Sequence, residues 1–108
     1  MNIAYVMENN LSVDDICILS LLDTVAKEKN SDVFQYSYKE IMNDLPLIFK
    51  YEDYDKNSKI LRKTLDKKTV KNFINRELDR KGRGIGCIVT FKLNRKNIDK
   101  LDIEGIVK

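Results

Sequence analysis

Residues 67–93 read KKTVKNFINRELDRKGRGIGCIVTFKL. Val70, Phe73, Ile74 and Leu78 fall at i, i+3, i+4 and i+8, the spacing that lines one side of a 3.6-residue helix and buries it. The spacing predicts a basic amphipathic helix over 69–81, with Lys68, Lys71, Asn72, Asn75 and Arg76 on its solvent side. Arg and Lys match guanine O6 and N7, and Asn matches adenine N6 and N7, so this side carries the chemistry of direct base readout. A charged outer face is also what keeps an amphipathic helix in solution.

The residues after this helix favour base readout. Asp79, Arg80 and Lys81 close the helix, Gly82 supplies a left-handed C-cap, and Arg83, Gly84, Ile85 and Gly86 form a short basic loop. Cys87 to Leu93 then alternates as a strand, with Cys87, Val89, Phe91 and Leu93 as the inward set.

Upstream, Ser12 with Asp14 and Asp15 opens a helix whose Ile16, Ile18, Leu19, Leu21, Leu22 and Val25 mark it as the central core helix, ending near Lys27 to Asn30. Val33 to Tyr36 is a short strand, and Ser37 to Glu40 is an S-x-x-E capping box for a helix carrying Ile41, Met42 and Leu45. Pro46 sits at its end. Asn2 to Met7 is a short apolar run, either an extra strand or an arm for a neighbouring subunit.

Helix, short strand, helix, basic helix, glycine loop and strand resemble, over roughly residues 12–93, the winged helix-turn-helix superfamily. SYKEIMNDLPLIF at 37–49 is similar to the second-helix segment of winged-helix domains in phage and plasmid replication or regulatory proteins. The resemblance implies an α+β fold, a small winged helix-turn-helix domain over 1–108, mainly helical with a short β-sheet and wing. It implies contact with double-stranded DNA through Lys67, Lys68, Thr69, Lys71, Asn72, Asn75, Arg76, Arg80, Lys81 and Arg83.

The chain departs from the compact pattern in two places. Lys50 to Lys68 intervenes before the basic helix: either it is an insertion, or residues 58–65, capped by Asn57 or Ser58, are the first helix of the helix-turn-helix, or one helix runs from 58 to 81. Lys59, Arg62 and Lys63 are less secure as DNA contacts than Lys71 or Arg76. The wing shows a single convincing strand where a full wing has two; this strand could pair instead with Val33 to Tyr36 and with Ile3 to Val6, which would make the Arg83-Gly84 loop a blunt wing. Ile98, Leu101, Ile103, Ile106 and Val107 make the tail a last helical turn over the core or a dimer contact.

Charge divides along the chain. Residues 1–55 hold 4 basic and 11 acidic side chains, a net of −7, and residues 56–108 hold 16 basic and 6 acidic, a net of +10. A positive half attracts phosphate and a negative half is repelled by it, which orients an encounter. There is no histidine, which excludes Ser-His-Asp and Cys-His nucleophile systems and His-dependent metal sites. Gly82, Gly84 and Gly86 follow a helix and precede a strand, opposite to the order of nucleotide-binding folds. The expectation is no enzyme, no cofactor and no metal. Cys17 and Cys87 lie among aliphatic residues and read as buried free thiols. With neither a signal-like N-terminus nor a membrane span, a cytoplasmic domain is expected.

These readings converge on a DNA-binding protein serving as a transcriptional regulator, replication accessory or plasmid centromere-binding adaptor, and acting as a homodimer. The alternative is a winged-helix adaptor or phage-encoded inhibitor that binds a protein partner through the acidic half.

Overall fold

Ser12 Oγ accepts from Asp15 N at 3.1 Å and Asp15 Oδ2 accepts from Ser12 N at 3.0 Å, a reciprocal box that starts α2, Val13–Lys29. Ile16, Ile18, Leu19, Leu21, Leu22, Val25 and Ala26 are all buried, so apolar side chains surround much of α2 and other elements enclose it. Asn30, in the left-handed region at φ 57°, ends it. The computed structural model describes residues 1–80 and 87–107, with Arg80 and Cys87 described as backbone. Among them are six helices and a three-stranded antiparallel sheet, an α+β domain.

Before α2 comes α1, Ile3–Glu8, and after it β1, Val33–Gln35. The second capping box, Ser37 with Glu40, starts α3, Tyr38–Asp44, and Pro46 follows its C-cap, where a missing N–H costs nothing to the helix. Then come α4, Tyr54–Leu65, α5, Lys68–Lys71, β2, Ile74–Arg80, β3, Cys87–Leu93, and α6, Arg95–Leu101.

The strand order is β1-β3-β2. β2 pairs with β3 from Ile74↔Leu93 to Arg80↔Cys87, and β1 pairs with the other edge of β3 from Val33↔Lys92 to Gln35↔Thr90. Phe34, Ile74, Val89, Phe91 and Leu93 point inward and are buried, while Val33, Gln35, Asn75 and Lys92 face solvent. The inward set forms one core with buried residues of α2, α3, α4 and α6. Phe34 and Phe91 are register partners with ring centres 5.9 Å apart.

The ends of the chain close over this core. Asn2 N donates to Leu101 O at 2.8 Å, and Ser20 Oγ donates to Ile103 O at 3.0 Å. Arg95 gathers three carboxylates, Asp23 at 2.5 Å, Asp32 at 2.7 Å and Asp99 at 3.2 Å, tying α6 to α2 and to the start of β1. Those carboxylates hold its guanidinium pKa above the ordinary arginine value, with the Asp32 hydrogen bond the largest cause.

Several expectations are corrected. The helix over 69–81 does not form: it is α5, Lys68–Lys71, a turn, and then β2. Helical spacing of Val70, Phe73, Ile74 and Leu78 is broken because 74–80 finds a register partner in β3 at every position. Phe73 and Ile74 are buried as foreseen, but Leu78 is 49% exposed. The hairpin therefore has two strands, not one. Ile3 to Val6 is helical and does not pair with β3; Val6 is buried, and Tyr5 meets Phe73 edge-on at 6.1 Å. Residues 58–65 belong to α4, a helix that starts earlier than foreseen, at Tyr54, and is capped by Asp53 instead of Asn57 or Ser58. The Gly82 cap and the 83–86 loop lie outside the described residues.

Asp23 is 3% exposed and also meets Lys27 at 3.3 Å. Removing one member of a buried ion cluster strands the others. We expect Asp23→Ala to lose about 2–3 kcal/mol of unfolding free energy in a denaturant titration, against about 1 kcal/mol for the cap variant Ser37→Ala. Equal losses would show that the Arg95 cluster contributes no more than a helix cap.

Candidate functional site

α4 has a polar inner face. Asn57, Ser58, Leu61, Thr64 and Leu65 are buried, at spacings of one, three and four residues that define one side of a helix. The buried amide is bonded at both ends: Asn57 Nδ2 donates to Tyr51 O at 2.7 Å and Asn57 Oδ1 accepts from Tyr51 N at 3.3 Å. Thr64 Oγ1 donates back to Ile60 O at 3.1 Å. The opposite side presents Lys56, Lys59, Arg62 and Lys63, all exposed, and none forms a salt bridge with a described residue. Acidic side chains sit at the two ends: Asp53 caps the start, Asp55 occupies the first turn, and Asp66 is the C-cap, paired with Arg76.

The residues expected as contacts disperse. Lys68, Thr69 and Lys71 lie on α5, with Lys68 and Lys71 exposed. Lys67 instead reaches Asp15, 1% exposed at the start of α2, at 3.1 Å. Asn72 caps the end of α5, and its carbonyl accepts from Asn97 Nδ2 at 2.8 Å. Asn75 lies on the solvent face of the sheet beside Lys92, so it does not share a face with Arg76 as a helix would have required. Arg76 points inward, bonds Asp66 at 2.9 Å and lies 5.9 Å from the centre of the Tyr38 ring. Arg80 ends β2; Lys81 and Arg83 lie outside the described residues.

The residues brought together are therefore Lys56, Lys59, Arg62 and Lys63 on α4, followed along the chain by Lys68 and Lys71 on α5. A groove of about 330 Å³ separates the end of α4 from β2, lined by Asp66, Lys71, Arg76 and Leu78 among others. The sequence ranks Lys59, Arg62 and Lys63 below Lys71 and Arg76 because it leaves three arrangements open for residues 58–65, all of which keep 69–81 helical. The signal that marks the helix is Asp53 as an N-cap with Leu61 and Leu65 one turn apart.

Among the described residues no group of three His, Cys, Asp or Glu side chains is placed to hold a metal. The open pocket of about 450 Å³ beside Arg95 is lined by charges that already pair with one another. Cys17 is a free, half-buried thiol whose pKa is pushed up by burial first and by Asp14 second. No helix among the described residues is long and apolar enough to cross a membrane. No protein-family model, curated protein or solved structure matches the chain.

Lys67 and Lys68 are neighbours with different tasks. We expect Lys67→Ala to lower stability by about 1–2 kcal/mol, less than for a fully buried pair because its side chain is 46% exposed. Lys68→Ala should stay within about 0.5 kcal/mol. Thermal unfolding of the two variants measures the difference, and matching values would remove the Lys67–Asp15 pair from the stabilising contacts.

Proposed function

We propose that this chain binds double-stranded DNA as a winged helix-turn-helix protein, with α3 and α4 as the helix pair, α4 in the major groove and the β2–β3 hairpin as the wing. The observation that carries the reading is the outward row Lys56, Lys59, Arg62 and Lys63, four cations on one helix with no salt bridge to a described residue. A helix of 12 residues is about 18 Å long, enough to lie along a groove that admits an α-helix. Glu52 and Asp53 before the helix and Asp55 in its first turn make the N-terminal end negative, so phosphate repels that end and the later turns approach the duplex. Lys68 and Lys71 continue the positive track. The sequence joining β2 to β3 adds Lys81 and Arg83.

Regulation of transcription, replication and DNA partition all use a module of this kind, and a two-fold symmetric recovered site would point to a homodimer on half-sites one helical turn apart. The competing reading, a protein partner, draws on the exposed Ile3 and Met7 of α1. Scattered exposed apolar residues are ordinary on a protein surface, so they weigh less than the cationic row.

Binding to a random duplex pool across a salt series tests the proposal. Each phosphate contact contributes about 0.9 to the slope of log affinity against log salt, so Lys59→Ala with Lys63→Ala should lower the slope by roughly two units. Asn75→Ala, on the sheet's solvent face, should leave it unchanged. Absence of binding at low salt would sink the DNA reading.

A further inference from the structure

Beside the outward row of α4 lies a depression of about 290 Å³, lined by Tyr51, Lys56, Lys59, Ile60 and Lys63. Its chemistry is uneven. Ile60 and the Tyr51 ring, which is half exposed, provide an apolar floor, and three ammonium groups provide the rim. Resting on the duplex-binding reading, we propose that this depression receives the C5-methyl edge of thymine in the major groove, with Ile60 against the methyl and a rim lysine donating to O4.

The donor and acceptor inventory selects that base. Past Tyr54 and Asp55, the exposed polar side chains of α4 are Lys56, Lys59, Arg62 and Lys63, all donors without acceptor capacity. The groups that could accept, on Asn57, Ser58 and Thr64, lie on the buried side. Adenine shows N6–H₂ and cytosine N4–H₂ donors in the major groove; among the side chains lining the depression the Tyr51 hydroxyl alone can accept, against three lysine donors. Guanine offers acceptors only, and thymine offers O4 together with a methyl group. The apolar floor inside a donor rim distinguishes the last two in favour of thymine. An unpaired base stacked on Tyr51 is a poorer fit, because Lys56 Nζ lies over that ring at 5.6 Å from its centre.

The experiment is a competition between two random duplex pools of the same design, one containing thymine and one containing uracil in its place. The two differ by the methyl alone, so charge, shape and the O4 acceptor are retained. Removing one buried methyl should weaken binding about fourfold, so the bound fraction should be enriched about fourfold in the thymine pool. Ile60→Ala should bring the ratio to one, and Ile60→Val, which keeps a branched side chain and the fold, should retain most of the preference. Equal capture of both pools by the wild-type protein would overturn the proposal while leaving salt-sensitive DNA binding standing. Thymine preference that survives in Ile60→Ala would also overturn it, by putting the methyl contact elsewhere. Capture of neither pool would overturn the duplex reading and this inference with it.

Discussion

The pairing of β2 with β3 is the constraint on which the rest of the molecule depends. Asn75, Arg76, Glu77 and Asp79 are poor strand formers, so the strand is imposed by its partner and not by intrinsic preference. Once Ile74 to Arg80 lies against Leu93 to Cys87, alternation decides every neighbouring contact. Arg76 is turned inward, where it joins Asp66 at the end of α4 to Tyr38 at the start of α3. At the base of the ladder Asn94 N donates to Phe73 O at 2.8 Å, so α5 and α6 leave the sheet from one closed corner. The position of α4 relative to the hairpin follows from these contacts.

The division of charge along the chain is partly consumed by this fold. Asp15, Asp23 and Asp32 of the acidic half meet Lys67 and Arg95 of the basic half, so three of the first half's acids serve to join the halves. Asp15 and Asp23 are almost fully buried; among the described residues, without Lys67 the first would have no cation beside it, and without Arg95 the second would keep only Lys27. The asymmetry that suggests an electrostatic partner is thus also a folding device. What remains outside this pairing on α4 is the outward row of four cations, and that remainder, more than the total, bears on function.

Legibility in the sequence followed the locality of the causes. α2 and α3 were readable because each begins with a side chain that caps its own backbone three residues on, a contact the chain makes with itself. β3 was readable from alternation and β1 as a short strand, and their mutual pairing, one arrangement the sequence leaves open, is the one that forms. β2 was not: its inward and outward sets mix charge on both faces, and the apolar positions at 70, 73, 74 and 78 fit a helix as well as a turn and strand. Register pairing over a sequence separation that spans the hairpin decided between them. α4 was half visible because its core-facing stripe contains the polar residues Asn57, Ser58 and Thr64; Asn57 and Thr64 are compensated by local hydrogen bonds that hydrophobic periodicity does not register. Lys59, Arg62 and Lys63, which the sequence ranks below Lys71 and Arg76, are the cations that the fold gathers on a single helix face.

Moving the exposed basic helix from 69–81 to α4 changes the chemistry that a groove would meet. Asn72 and Asn75 on a helix would have offered both a donor and an acceptor, the pair that adenine requires. On α4 the corresponding amide belongs to Asn57, and it is spent on both backbone groups of Tyr51. Burying an amide without partners costs several kcal/mol, so those bonds fix its direction and it cannot turn outward cheaply. The same two bonds hold the main chain of Tyr51 against the helix, next to Lys56 and Ile60. One buried side chain therefore withdraws its acceptor from the outward face and sets the aromatic floor beside it, which leaves that face, past Asp55, with cationic donors and apolar surface.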